Sequence, residues 1–156
     1  MKLQVMALGR PRESFVARGV EHYQIRLKPL LPVEWVFLPD VNRGKNVDEE
    51  RRKALEGREF LKRIAPQDVL YVLDERGSQM DSASLSEKIY ARLGAGQGKL
   101  IFLVGGAYGT SPELQERADV LLSLSKMTFT HEMALLLLSE QLYRAAMIHT
   151  GSKYHH

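Results

Sequence analysis

The chain has 156 residues, 44% of them hydrophobic and 26% charged, with a formal net charge of +3, enough for one domain spanning 1–156 with a real core. It contains no cysteine, which excludes disulfides, thiolate nucleophiles and Cys-ligated metals. The opening residues lack a basic n-region and a small-residue cleavage site, and the longest apolar run is too short to cross a bilayer, so the expected location is cytosolic.

Taken in order, residues 2–9 read as a short buried strand ending in Gly9. Pro11 and Ser14 open a helix reaching about Arg26, with apolar residues at three- and four-residue spacing. Pro29 and Pro32 mark a turn before a second strand over 33–38. A loop over 41–46 follows. Asn46 with Glu49 has the form of a cap and its capping-box partner, which predicts a charged helix to Ile64. A third strand over 68–73 runs into the turn-rich 74–78. Ser84 with Glu87 repeats the cap pattern for a helix ending near Leu93, closed by Gly94, Gly96 and Gly98. The fourth strand covers 99–104 and leads to the glycine cluster Gly105, Gly106 and Gly109. Ser111-Pro112-Glu113 has the order of cap, first and second helical positions. A fifth strand over 120–124 precedes a long last helix. Strands alternating with helices throughout predict an α/β fold with a mostly parallel sheet flanked by helices. Ligands in such folds bind where loops leave the carboxyl ends of strands. Three loops of that kind stand out, after Leu73, after Val104 and after Leu124.

The residues between Leu124 and Tyr143 are the most distinctive. They begin polar and turn-like, then run apolar without a break from Met133 to Leu138. A helix facing one core shows an apolar stripe roughly 100° wide, so six apolar residues in a row predict apolar neighbours on every side, a second copy of the chain among them. Gly105-Gly106-x-x-Gly109 stands between strand and helix, where it serves either a ligand's approach to the backbone or a plain tight turn. It lacks the Lys-Ser/Thr of a phosphate-binding loop and the dinucleotide spacing. His131-Glu132 begins like a zinc-protease helix, but Leu135 stands where the second ligand would be, so no metal is expected. Arg144 lies four residues after Glu140, the spacing of a surface ion pair, and beside Tyr143 it could instead face a phosphate. Cations outnumber acids in residues 1–63 and fall short of them in 64–156. Arg43-Gly44-Lys45 and Arg51-Arg52-Lys53 are either a face for a polyanion or part of a solvated, ion-paired helix.

Several motifs occur together in a fixed order. They are Lys2-Leu3, Ala7-Leu8-Gly9, Arg43-Gly44-Lys45-Asn46, Glu56-Gly57, Leu73-Asp74 and Val104-Gly105-Gly106 with Gly109. They continue with Leu124-Ser125-Lys126-Met127-Thr128-Phe129-x-His131, Glu140-Gln141-Leu142-Tyr143-Arg144-Ala145 and Tyr154-His155. In this order the sequence resembles the RlmH family, the SPOUT-class methyltransferases of the bacterial large ribosomal subunit, over essentially its whole length. The resemblance implies a SPOUT-type α/β knot, with a C-terminal trefoil knot, and a homodimer. It also implies S-adenosylmethionine as cofactor and methylation of N3 of a pseudouridine in large-subunit ribosomal RNA of the assembled ribosome. Carried over by position, the cofactor contacts fall on Leu73, Gly105, Leu124, Ser125, Lys126, Met127, Thr128 and Phe129. His131, Arg144, Tyr154 and His155 are the candidates for proton removal, RNA grip and charge stabilisation. A tail closing over the partner's cofactor would leave a monomer inactive.

The sequence departs from the family pattern at three places. Thr130 and Leu135 stand where many relatives have Pro and Arg, and His156 where Lys or Arg is usual. Two other readings are compatible with the residues. One is an RNA-binding protein of this fold without turnover, and the other is a nucleotide-binding α/β protein using the Gly105–Gly109 loop.

Overall fold

The computed structural model describes residues 2–40 and 46–156. Arg43, Gly44 and Lys45, and most of the loop expected over 41–46, lie outside the described residues. Five strands and five helices alternate: β1 (Lys2–Leu8), α1 (Ser14–Leu27), β2 (Val33–Leu38), α2 (Glu49–Leu61), β3 (Val69–Ser78), α3 (Ser82–Ala95), β4 (Lys99–Val104), α4 (Pro112–Arg117), β5 (Val120–Leu122) and α5 (His131–His149). The strands form one sheet in the order β2-β1-β4-β3-β5, and every pairing is parallel. Such a sheet needs cover on both faces. On one face Leu3, Val5, Ala7, Leu100 and Phe102 pack with Val16 and Val20 of α1, Ile89 of α3, and Leu138 and Leu142 of α5. On the other, Met6, Leu70, Val72, Ile101 and Leu103 pack with Phe60 of α2 and Leu114 of α4.

This two-sided winding positions the site. β4 is the central strand, and its connection turns toward α4 on one face, whereas those after the flanking β1 and β3 turn toward α1 and α3 on the other. Connections that diverge in this way open a crevice over the carboxyl end of the strand between them.

Local chemistry differs from the sequence expectation at several boundaries. The cap of α2 is Asp48, whose carboxylate accepts from Arg51 N, and not Asn46. α2 also stops at Leu61, short of Ile64. The cap of α3 is Asp81, accepting from Ser84 N, so Ser84 is the third residue of that turn. Aspartate satisfies the exposed N–H groups of a first turn as well as asparagine or serine does and adds a charge that suits the helix dipole. The expected cap Ser111 with Pro112 at the first turn is observed. β3 continues through the segment expected as a turn, because residues 74–77 form a bulge. Leu73 and Ser78 both pair with Leu122, so the intervening residues are pushed out of the ladder. β5 ends at Leu122, two residues earlier than expected.

The apolar run of α5 has a packing explanation within one chain. At 100° per residue, Leu135, Leu138 and Leu142 face the sheet, and all are buried. Leu136 abuts Gly19 of α1 on one flank, and Ser86 Oγ of α3 donates to Ala145 O at 2.7 Å on the other. The outward stripe carries Leu137, Arg144 and Ile148, which are half-buried, while Met133 packs against the core. No helix among the described residues is long and apolar enough to cross a membrane.

Candidate active site

The three post-strand segments singled out in the sequence meet around one cavity of about 860 Å³ at the carboxyl end of the sheet. Leu73, Gly105, Leu124, Ser125, Met127, Thr128 and Phe129 all line it, with His131 at its edge. Lys126 lies in the same segment but is exposed and outside the lining. Leu73, Gly105, Leu124 and Ser125 form the half-buried floor, while Met127 is 74% exposed and stands at the mouth. A volume of this size, apolar below and polar at the rim, suits a ligand of a few hundred daltons.

Short-range hydrogen bonds hold each wall. In the segment after β5, Ser123 Oγ donates to Ser125 O at 2.8 Å and Met127 N donates to Ser125 Oγ at 3.0 Å, turning the chain back across the cavity. The β3 bulge supplies the opposite wall. Asp74 accepts from Arg76 Nε at 3.2 Å and Arg76 Nη2 at 3.0 Å, and these bonds hold its carboxyl below the usual range despite partial burial. The Thr128 hydroxyl donates to Glu75 Oε2, joining the two walls across the opening. Gly77 is required here because a Cβ would collide with the Leu121 carbonyl. The third wall, 105–110, turns at Gly109 (φ 89°). There Gly109 N donates to Gly106 O at 3.1 Å.

His131 is the first residue of α5, whose cap is Thr130, with its hydroxyl accepting from Met133 N at 3.2 Å. The departure from proline at 130 therefore supplies a helix cap. Glu132 does more than favour the helix dipole. Its carboxylate accepts from Arg12 N at 3.1 Å and Glu13 N at 3.1 Å, tying the loop after β1 to the start of α5. Leu135, a second departure, is buried in the core, 3% exposed. Among the described residues no three metal-ligating side chains lie together.

Arg144, Tyr154 and His155 are elsewhere. They gather around Glu140 on the outward side of α5. Arg144 Nη2 donates to Glu140 Oε1 at 2.7 Å, and the Tyr154 hydroxyl donates to the same oxygen at 3.1 Å. Arg144 Nη1 lies 3.1 Å from His155 Nδ1, and the guanidinium sits 4.9 Å from the Tyr154 ring centroid. The ion pair read from spacing is present. Burial and the bond to Glu140 push the Tyr154 phenol up to about 12, so in this arrangement it keeps its proton at neutral pH. Glu140 is nine residues along the helix from His131, roughly 14 Å at 1.5 Å per residue. Within one chain the four residues proposed for catalysis thus form two groups.

Glu75 and Arg76 read from the sequence only as part of a turn, and Asp74 only as a turn residue and motif member beside Leu73, although so many charges next to Leu73 could have marked a wall. Glu56 stood out only as a motif member, with no sign that it is buried against Gly106.

The chain as a whole has relatives among known proteins. Residues 1–155 match the family model described as "Predicted SPOUT methyltransferase". The chain belongs to the SPOUT methyltransferase family. It is 39% identical to the ribosomal RNA large subunit methyltransferase H of Christiangramia forsetii, across all of this chain and 99% of that protein. It is 41% identical to the proteins of the same name from Trichlorobacter lovleyi and Pelobacter propionicus, across all of both chains. Among solved structures, a probable methylase family protein from Haemophilus influenzae superposes with a TM-score of 0.55 over 99% of this chain and 70% of that one, at 14% identity. That likeness concerns the fold alone.

Proposed function

We propose that this SPOUT protein is an S-adenosylmethionine-dependent methyltransferase that places a methyl on N3 of a pseudouridine in large-subunit ribosomal RNA. The reading rests chiefly on the cavity built from the β3 bulge and the segments after β4 and β5, and it agrees with the names of the full-length relatives.

The residues present fit the cofactor. Leu73 and Leu124 offer apolar walls for adenine, and the backbone of 105–107 is within reach of its polar edge. Asp74 and Glu75 place negative charge beside a ligand that carries a sulfonium and an ammonium, while Arg76 and Lys53 suit its carboxylate. When bound, S-adenosylmethionine supplies an electrophilic methyl group. The protein's own part is to hold the acceptor nitrogen in line with that methyl, which supplies much of such a rate enhancement. The N3 proton must also leave. His131, which lines the cavity, is the candidate acceptor on the same chain, and Lys126, exposed in the segment after β5, is a candidate for the RNA backbone.

Arg144, Tyr154 and His155 enter this reading from a second copy. A homodimer formed through the outward stripe of α5 around Leu137 would bring one chain's Glu140 cluster to the other chain's cavity. There the tail would close over the cofactor and Arg144 would grip RNA or offset developing negative charge. The family's C-terminal trefoil knot, a single domain and a cytosolic location belong to the same proposal. The experiment is incubation with intact ribosomes and isotopically labelled S-adenosylmethionine, followed by nucleoside mass spectrometry. Labelled N3-methylpseudouridine is the expected product. RNA binding without any methylated pseudouridine would favour the non-catalytic alternative.

A further inference from the structure

Behind the loop that follows β4 sits a carboxyl group that the reading above does not use. Glu56, the eighth residue of α2, is 5% exposed. A Cβ built on Gly106 would lie 2.9 Å from Glu56 Oε2 and 3.3 Å from Oε1, so the carboxyl is packed directly against that glycine. The same helix braces the loop at two more points. The Arg52 guanidinium lies 5.6 Å from the Tyr108 ring centroid, and Gly57 packs against Ser111, the cap of α4. One face of α2 thus supports segment 105–111 from behind, while the opposite side of 105–110 lines the cavity.

We propose that Glu56 is a positioning residue for the methyl donor, holding segment 105–110 closed against the cofactor only while its carboxyl is neutral. This rests on the assignment of S-adenosylmethionine to the cavity. A carboxylate packed against Gly106 and only 5% exposed has little water to solvate its charge, so charging Glu56 favours a shifted loop. Among the described residues, the charged groups facing it are Asp40 at the end of β2 and Arg52 one turn earlier on α2. From the segment after β4 it meets Gly106, which does not titrate. Burial first, and then repulsion from Asp40, push the carboxyl up to about 7, against an opposing pull from Arg52. Both forms are therefore accessible near neutral pH. A donor that seats against the loop excludes the remaining water and selects the neutral form.

The test is isothermal titration of the full chain with S-adenosylhomocysteine between pH 6 and pH 8. If only the neutral form binds, the competent fraction at pH 8 is about a tenth, and the affinity falls by about tenfold from pH 6. Glu56→Gln keeps the shape and cannot ionise. It should bind as tightly as wild type at pH 6 and lose the fall, apart from any titration of the ligand itself, which both proteins share. Asp40→Asn removes the repulsion and should move the inflection to lower pH, a result available even if the glutamine variant folds poorly. Superimposed pH profiles for wild type and Glu56→Gln, with binding intact, would overturn this proposal alone. No binding by either protein at any pH would overturn the assignment of the cofactor and this proposal with it.

Discussion

Gly105 offers the sharpest test of how the cavity is built. Its φ is not in the left-handed region, so backbone strain does not call for glycine there; space does. A Cβ at this position would lie 2.7 Å from Thr110 Cγ2 and 3.0 Å from the Gly109 carbonyl oxygen, where carbon contacts are normally about 3.5–4.0 Å apart. The side chain of Gly105→Ala therefore points into the loop's own packing, and the loop must move to admit it. Overpacking of this kind costs about 1–3 kcal/mol. For a chain of this size each kcal/mol lowers Tm by about 2–4 °C, so a fall of about 2–12 °C is expected by calorimetry. S-adenosylmethionine affinity should fall about tenfold or more if the shifted loop forfeits about 1.4 kcal/mol of contact. A second substitution separates this cause from others. Thr110→Ser deletes the offending Cγ2 but keeps the hydroxyl, which accepts from Gln115 Nε2, so adding it to Gly105→Ala should recover part of both losses. A single variant indistinguishable from wild type, or a double variant with no recovery, would refute the reasoning.

Other outcomes follow from the same contacts. Thr130→Ala removes the cap of α5 and should cost about 0.5–2 kcal/mol in urea unfolding, while Thr130→Ser should cost much less. Leu137→Asp places a charge on the outward stripe of α5; in the proposed homodimer it should yield monomers by light scattering together with loss of methylation, because that dimer is what would bring the tail cluster to the other chain's cavity. Glu56 makes stability depend on pH in a defined direction. Its carboxyl is raised from 4.5 to about 7 in the folded chain, so between those values the folded state holds more protons than the unfolded one and stability falls as pH rises. Glu56→Gln should abolish that fall, and relative to wild type it should gain up to about 3 kcal/mol between pH 4.5 and pH 8. Chemical unfolding at both pH values measures the difference.

The strands and the order of elements were legible because each strand is a short apolar run bounded by glycine, proline or charge. β2 and β4 have the bounds that such reasoning predicts. What escaped depended on partners distant in sequence. The bulge at 74–77 exists because Leu73 and Ser78 both pair with Leu122, and nothing local announces that register. Its charged residues resemble an ordinary turn until β5 is beside them. The caps of α2 and α3 were misplaced because several capping residues precede each helix and spacing alone does not choose among them. The three walls of the cavity could be named from the sequence because each follows a strand. The separation of His131 from the Arg144, Tyr154 and His155 cluster could not, since it depends on where the tail folds back along α5. Glu56 was visible only as part of a motif; its burial against Gly106 belongs to tertiary packing.

The account stands or falls on the methyl donor occupying the cavity over the carboxyl ends of β3, β4 and β5. A crystal structure of the protein with S-adenosylhomocysteine tests that directly. Adenine between Leu73, Gly105 and Leu124, with the sulfur directed toward the His131 side, is the predicted result. Ligand found away from these three segments, at the β2 edge for instance, would contradict it.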